Sequence, residues 1–112
     1  MALKVELDIF SGRSNPAWEL GEREMSEFES MIQRALPARG EVELPVLGYR
    51  GFVVYRPEPL RVFQNQLLKH RDQTPVEQSV ATVGTHVELW LLERGKALLD
   101  GSVYDAVRDA IR

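Results

Sequence analysis

The chain has 112 residues, of which 44% are hydrophobic and 28% charged, and its formal net charge is -3 at pH 7. This length and composition predict one folded domain with a single hydrophobic core. The absence of cysteine excludes disulfides, thiolate metal sites and cysteine nucleophiles, and the acidic balance disfavours nucleic acid as a partner. Apolar and polar residues alternate at the N-terminus, where a signal peptide would be continuously apolar, and the sequence contains no long apolar run. Both features favour a cytoplasmic protein that does not bind membranes.

The first third of the chain predicts a strand and an amphipathic helix. Apolar and polar residues alternate over residues 3–9, as in a strand with one buried face, and turn formers follow over residues 11–16. Over residues 21–36 the apolar residues fall at helical spacing around Phe28, with glutamates on the opposite face. We expect these glutamates to form a solvated face that could steer a basic partner.

The middle of the chain predicts two further strands. Residues 47–56 are rich in aromatic and β-branched types, and residues 60–68 form the second strand of a hairpin, with a helix there as the open alternative. Gly48 and Gly51 indicate a β-bulge or a close approach by another backbone, and the bulge is favoured. Residues 72–84 lack clear periodicity and predict mostly loop, with a short strand near their end as an alternative.

The last third predicts two helices. Thr85 and Glu88 are spaced as a capping box, and we expect this apolar helix at the centre of the core, with Trp90 buried and its glutamates in solvent. Ser102 and Asp105 are spaced as a second box that begins a C-terminal helix. The predicted fold is a single α+β domain with an antiparallel sheet of about three strands and helices on one face, in the order βαββαα.

Motifs for catalysis, nucleotide binding and metal binding are missing from the sequence. The glycines form neither a dinucleotide-binding turn nor a phosphate-binding loop, and Ser11 is not in a nucleophile elbow. His86-Val87-Glu88 matches part of a zinc deaminase motif without its cysteines, and both His70 and His86 are more typical of hydrogen-bonded or exposed histidines. We therefore expect no cofactor and no metal, and we favour a chain without enzymatic activity.

One loop concentrates the polar groups that molecular recognition uses. Residues 8–18 read Asp-Ile-Phe-Ser-Gly-Arg-Ser-Asn-Pro-Ala-Trp and carry a carboxylate, a guanidinium, an amide and an indole. The favoured interpretation is structural, with polar side chains supporting the turn and the indole covering the core; a recognition site is the alternative. We expect this loop to lie beside the strand at residues 47–56, and the candidate binding residues are Arg13, Asn15, Trp18, Tyr49 and Arg50.

Two segments of the chain resemble known sequences. Residues 8–18, together with Leu-Gly-Tyr-Arg-Gly-Phe-Val-Val at residues 47–54, are similar to segments that recur in small bacterial proteins of uncharacterised function, and the resemblance implies no known activity. The sequence favours a cytoplasmic protein-binding module, such as an immunity, antitoxin-like or accessory subunit, whose partner is a protein and could be basic. The alternatives are a small-molecule or peptide-binding domain with a pocket near the 11–18 loop, and a homodimer.

Overall fold

A computed structural model describes residues 2–111, and within that range the chain forms eight strands, three α-helices and one short 3₁₀ turn. The strands are β1 (Leu3–Leu7), β2 (Ala17–Leu20), β3 (Leu36–Pro37), β4 (Glu41–Glu43), β5 (Phe52–Tyr55), β6 (Leu60–Phe63), β7 (Gln66–Lys69) and β8 (Val76–Thr82). The helices are α1 (Glu22–Gln33), α2 (Thr85–Gly95) and α3 (Gly101–Ile111), and the 3₁₀ turn covers Lys96–Leu98.

The strands form an antiparallel sheet in the order β2-β1-β5-β6-β7-β8-β3, and β4 pairs with the first half of β8. Ala38 N–H donates to Val80 O at 3.1 Å and Ser79 N–H donates to Gly40 O at 2.9 Å, so β3 and β4 form one interrupted edge along β8. The chain is a single α+β domain, but the prediction of about three strands in the order βαββαα is wrong.

Residues 60–68, which predict one strand, fold as a hairpin of β6 and β7. Gln64 and Asn65 connect the two strands, and their φ angles of 51° and 64° are the left-handed values that a two-residue hairpin turn requires. Asparagine adopts this region more readily than most residues. Gln64 and Asn65, which interrupt the strand pattern of residues 60–68, therefore form the turn of the hairpin.

Buried polar residues and a β-bulge explain why residues 72–84 show no clear apolar periodicity. In the first half of β8 the buried residues are Glu77 and Ser79, so the side that faces the protein carries no apolar signal. In β8, Ser79 pairs with Leu68 and Ala81 pairs with Leu67, so Val80 is an extra residue with no partner on β7. An extra residue reverses the faces to which the following side chains point, which destroys the alternation expected of a strand. Seven of these thirteen residues, Val76–Thr82, form a strand where the sequence predicts mostly loop.

One face of the sheet packs against the three helices to form the main hydrophobic core. Its buried residues are Val5, Leu7, Trp18, Leu20, Phe28, Phe52, Val54, Val62, Leu67, Val87, Leu91, Leu92, Tyr104 and Val107. A smaller cluster of Leu44, Phe63 and Leu68 lies apart from this core. Within residues 2–111, none of the helices has the length and apolar character that crossing a membrane requires.

Helix α2 begins differently from its predicted capping box. Its N-cap residue is Gly84, with no capping bond from a side chain, and Glu88 is turned inward with only 2% of its surface exposed. Its carboxylate accepts a hydrogen bond from the backbone N–H of Asn65, in the turn between β6 and β7, at 3.0 Å. The expectation that Glu88 lies in solvent is therefore wrong, because the hairpin supplies a donor for it inside the protein.

Trp90 covers the edge of the helix layer instead of filling the core. The indole is half-buried and stacks on Phe28, with ring centroids 6.4 Å apart, and its Nε1 donates to Glu27 of α1 at 3.2 Å. Trp90 therefore joins α2 to α1 while keeping contact with solvent.

Candidate functional site

The face of the sheet opposite the helices carries a network of buried charges centred on Arg61 of β6, whose side chain is 3% exposed. Arg61 Nε donates to Glu77 Oε1 at 2.8 Å, and Nη1 donates to Asp8 Oδ2 at 2.7 Å. Nη1 also donates to the backbone oxygen of Arg50 at 2.7 Å. We call Asp8, Arg50, Arg61, His70 and Glu77 the arginine network. Its carboxylates compensate the buried guanidinium, which would otherwise be strongly destabilising.

Arg50 fastens two loops to the arginine network. Its Nε and Nη2 both donate to Asp8 Oδ1, at 3.1 and 2.8 Å. Nη2 also donates to the backbone oxygen of Phe10 at 3.1 Å, and Nη1 donates to that of Val46 at 2.9 Å. One guanidinium therefore fixes both the loop of residues 8–16 and the loop of residues 44–51.

Glycine at position 51 lets the 44–51 loop pass close to β6. Gly51 has a φ of 86°, and an added Cβ would overlap the carbonyl oxygen of Val62 and lie 2.8 Å from Phe63 Cβ. Asp8 N–H donates to Gly51 O at 3.0 Å, which extends the pairing of β1 with β5 into both loops. Close backbone approach, and not the bulge that the sequence favours, accounts for this glycine.

His70 connects the buried end of the arginine network to the loop of residues 70–75. Its Nδ1 lies 2.9 Å from Glu77 Oε2, and its Nε2 lies 3.0 Å from Asp72 Oδ1. Because ionised carboxylates accept hydrogen bonds and cannot donate them, these two contacts are both hydrogen bonds only when each ring nitrogen carries a proton. Arg61 Nη2, 3.3 Å from Nδ1, is then a second donor beside that nitrogen and not its partner. The hydrogen bond to Glu77 raises the pKa of His70, against the opposing effect of burial.

Both carboxylates of the arginine network stay ionised. Burial alone would raise the pKa of Asp8, but hydrogen bonds and positive charge from Arg50 and Arg61 hold it below its ordinary value. Burial would likewise raise the pKa of Glu77, but hydrogen bonds from His70 and Arg61 lower it. The network is thus a set of charged groups that compensate one another.

A cleft of about 440 Å³ lies above the arginine network, between the 44–51 loop and the 70–75 loop. Asp8, Arg50 and Arg61 are among its lining residues, with Val46 on one loop and Thr74 on the other. Asp8, Arg50 and Arg61 already pair with one another, so among the described lining residues the uncompensated charge is that of the exposed Arg71.

Two of the predicted binding residues, Asn15 and Arg50, meet at Asp8. Asn15 Oδ1 accepts hydrogen bonds from the N–H groups of Ile9 and Phe10 at 3.0 and 2.8 Å. Its Nδ2 donates to Glu6 Oε2 at 2.9 Å and, over a longer distance of 3.4 Å, to Asp8 Oδ1. The amide thus shapes the 8–16 loop from inside, as asparagine commonly does in turns.

Arg13 is exposed at the outer part of the same loop. Its guanidinium carbon lies 3.7 Å from the centroid of the Phe10 ring, a cation–π arrangement. Arg50 binds the backbone of Phe10, so Arg13 projects from a loop that the arginine network holds in place.

The structure places Trp18 in the main core, away from the arginine network. Trp18 is 6% exposed and packs edge-on against Phe52, with ring centroids 6.1 Å apart. Helix α2 approaches it through Gly95, where an added Cβ would lie 2.5 Å from the indole ring. Trp18 therefore does not reach the surface that Asn15 and Arg50 support.

Tyr49 links the 44–51 loop to α2. Its hydroxyl donates to Glu88 Oε2 at 2.5 Å, and its ring packs edge-on against Phe52 and Phe63. Burial raises the pKa of Glu88, although the hydrogen bonds from Tyr49 and from the backbone of Asn65 oppose the rise. Tyr49 is thus a structural contact of the loop, on a different side from Arg50.

Sequence reasoning missed Arg61, His70 and Glu77 as members of one site. Arg61 stands inside the apolar run Leu60-Arg-Val-Phe63, and an arginine in a strand that is otherwise buried needs a carboxylate partner. That signal indicates a buried ion pair, but it does not say which carboxylate completes it.

Some glutamates of α1 form ion pairs, although the sequence predicts that they are simply solvated. Glu29 pairs with Arg56 at 3.1 Å, and Glu24 lies 3.7 Å from Arg94 of α2. These arginines offset part of the negative charge that was expected to attract a basic partner.

Comparison with models of protein families, with curated proteins and with solved structures finds no match to this chain. The resemblance of residues 8–18 and 47–54 to small bacterial proteins stays a prediction. Among residues 2–111, no three His, Asp or Glu side chains are grouped so that they could hold a metal ion.

Proposed function

We propose that the chain is a cytoplasmic protein-binding module that contacts its partner through Pro45, Val46 and Leu47, which we call the 45–47 tip. The observation that carries the proposal is the exposure of two consecutive aliphatic side chains, 86% for Val46 and 72% for Leu47. Single exposed aliphatic residues are ordinary, but adjacent ones at the end of an anchored loop are typical of an interaction surface.

The 45–47 tip is held in place from both sides. On one side Leu44 is buried beside Phe63 and Leu68, and its N–H donates to Pro75 O at 2.7 Å. On the other side Arg50 Nη1 donates to the oxygen of Val46 at 2.9 Å. A loop fixed in this way loses little conformational entropy when a partner covers it, so more of the contact energy contributes to affinity.

The side chains of the tip can supply substantial binding energy. Full burial of a valine or leucine side chain is worth about 1.5–3 kcal/mol each, before the costs of association. Arg13 projects from the neighbouring loop, and Arg50 binds the backbone of both loops, so a partner seated on the tip can also meet a guanidinium.

The alternative function, binding of a small molecule or peptide in the cleft above the arginine network, has weaker support. Asp8, Arg50 and Arg61 in this cleft are already paired with one another, which leaves the exposed Arg71 as the unpaired charge of its lining. Val46 and Leu47, by contrast, expose 86% and 72% of their surface. The partial neutralisation of α1 likewise makes an apolar contact a better basis for partner binding than attraction of a basic protein.

Site-specific photocrosslinking in the native host tests this proposal. A benzophenone amino acid replaces Leu47 in one protein and Leu98 in another, a matched control because Leu98 is also a leucine and is 67% exposed. We expect a discrete crosslinked partner protein from position 47 and none from position 98. Added wild-type protein should compete for the crosslink, and a Val46→Asp/Leu47→Asp protein with unchanged melting temperature should not.

Identical crosslinks from both positions, or equal competition by the double variant, would show that the 45–47 tip does not bind a specific partner. The absence of any crosslinked product from the protein that carries the benzophenone at position 47 would have the same meaning.

A further inference from the structure

A second surface, separate from the 45–47 tip, is a groove of about 650 Å³ on the helix side of the sheet. Leu60 and Lys69 are register partners in β6 and β7, and they lie on the same face as Val62 and Leu67, which pack against the helices. The residues that line the groove belong to β6, β7, β8 and the turns beside them, so this is a part of the sheet that the helices leave uncovered.

The floor of the groove is apolar. Leu60 and Val80 are both half-buried there, and Pro57 and Pro59 line the turn that leads into β6. A strand face of this kind is usually covered by a helix or a loop, because exposed aliphatic surface is unfavourable in water. The volume lies within the range of roughly 300–1,000 Å³ that is common for small-molecule sites.

The rim of the groove has an excess of positive charge. Lys69 and Arg71 both line it and are exposed, and neither side chain forms an ion pair with any of residues 2–111. Arg71 stands where the groove adjoins the cleft above the arginine network and lines both. Glu58 also lines the groove, while the charge of His70 is engaged by Glu77 and Asp72. Two cations against one carboxylate leave one uncompensated positive charge, on a chain whose formal net charge is -3.

We propose that this groove binds a small amphiphilic carboxylate, with its apolar body on Leu60 and Val80 and its carboxylate between Lys69 and Arg71. The guanidinium can bind a carboxylate through two parallel hydrogen bonds, and the ammonium adds a second positive charge. A single surplus charge fits a monoanion, and the apolar floor distinguishes a ligand with an aliphatic or aromatic body from a simple inorganic anion.

Titration with hexanoate, followed by amide NMR spectra, tests this assignment on the intact chain. We expect shifts that saturate and that map to Leu60, Lys69, Arg71 and Val80. Acetate, which has the same charge without the apolar body, and hexylammonium, which has the same body with the opposite charge, should both bind at least about tenfold more weakly.

A pair of double variants tests the role of the two cations. Lys69→Ala/Arg71→Ala should raise the dissociation constant for hexanoate about tenfold, the effect expected for losing two exposed ionic contacts. Arg23→Ala/Lys96→Ala removes the same net charge from exposed residues elsewhere and should leave the constant unchanged. Melting temperatures of both proteins confirm that they are folded.

The proposal fails if hexanoate shifts map outside the groove, if hexylammonium binds as well as hexanoate, or if both double variants weaken binding equally. None of these results depends on the 45–47 tip, so the outcome is independent of the proposed protein-binding function.

Discussion

The two faces of the sheet are stabilised in different ways. On the helix side, residues such as Phe28, Phe52 and Leu91 are fully buried among apolar neighbours, and their contacts have little directional requirement. On the opposite side, Arg61 and Glu77 are equally buried, but they are held by hydrogen bonds of defined length and direction. Apolar burial fixes the helices to the sheet, whereas the paired charges fix the position of individual loops.

This difference bears on what each face contributes to function. A buried ion pair often adds little net stability, because the loss of hydration offsets much of the attraction between the charges. Its geometry, however, tolerates few alternative arrangements, so it specifies position well. We infer that the arginine network serves mainly to place the 8–16, 44–51 and 70–75 loops, from which the candidate interaction surface projects.

The largest expected effect is on the charged face. Arg61→Ala leaves Glu77 buried without its guanidinium partner, and we expect it to lower the free energy of unfolding by about 3–5 kcal/mol. Arg56→Ala is the control, because the pair of Arg56 with Glu29 is partly exposed and is worth at most about 1 kcal/mol. Urea denaturation measures both values. Similar losses in the two variants would mean that the network has no special role in the fold.

A smaller effect is expected at the edge of the helix layer. Trp90→Ala removes the stack on Phe28 and the hydrogen bond to Glu27, but the indole is only half-buried. We therefore expect a loss of about 2 kcal/mol, below the 3–5 kcal/mol typical of fully buried aromatic residues. Thermal and urea denaturation check the value. A loss as large as that of a central core residue would contradict this account.

A third prediction concerns the contact of α2 with Trp18. Alanine normally stabilises a helix relative to glycine, but at Gly95 the new Cβ would lie 2.5 Å from the indole ring. We expect overpacking to prevail, with Gly95→Ala destabilising the protein by about 1–2 kcal/mol. Gly101→Ala is the control, since nothing lies within 4 Å of its added Cβ, and it should be neutral or slightly stabilising. A stabilised Gly95→Ala protein would refute the close approach.

The smallest effect is a pH dependence confined to the charged face. His70 has a raised pKa because it bonds to Glu77, so it holds its proton more tightly in the folded protein than in the unfolded chain. Its contribution to stability is therefore fully present below the ordinary histidine pKa, near 6.5, and is lost as the pH rises through the folded pKa. NMR titration of the His70 ring, in the folded protein and in urea, measures both values.

His70→Gln should remove this part of the pH dependence of unfolding, whereas His86→Gln should keep it. If the His70 ring titrates at a lower pH in the folded protein than in urea, the imidazolium bridge between Glu77 and Asp72 does not form.

Local sequence patterns determined the elements whose signals lie within a few residues. Alternation over residues 3–9 indicates β1, and apolar spacing indicates α1, because the periods of strand and helix appear directly in the chain. The apolar segment that begins at Thr85 and Glu88 indicates α2, although the capping box proposed for its start does not form. The same patterns missed β7 and β8, where a two-residue turn at Gln64 and Asn65 and a bulge at Val80 interrupt the periodicity.

The candidate site depended almost entirely on the tertiary structure. The loop of residues 8–16 was recognisable from its turn formers and polar groups, and Asn15 and Arg50 do meet at Asp8. The partners of Arg61, however, are 16 and 53 residues away in sequence, at Glu77 and Asp8. These charges meet only because β1, β5, β6, β7 and β8 are neighbours in the sheet, with a bulge that sets their register. Strand order and register arise from packing of the whole chain, so no local pattern encodes which carboxylate reaches which arginine.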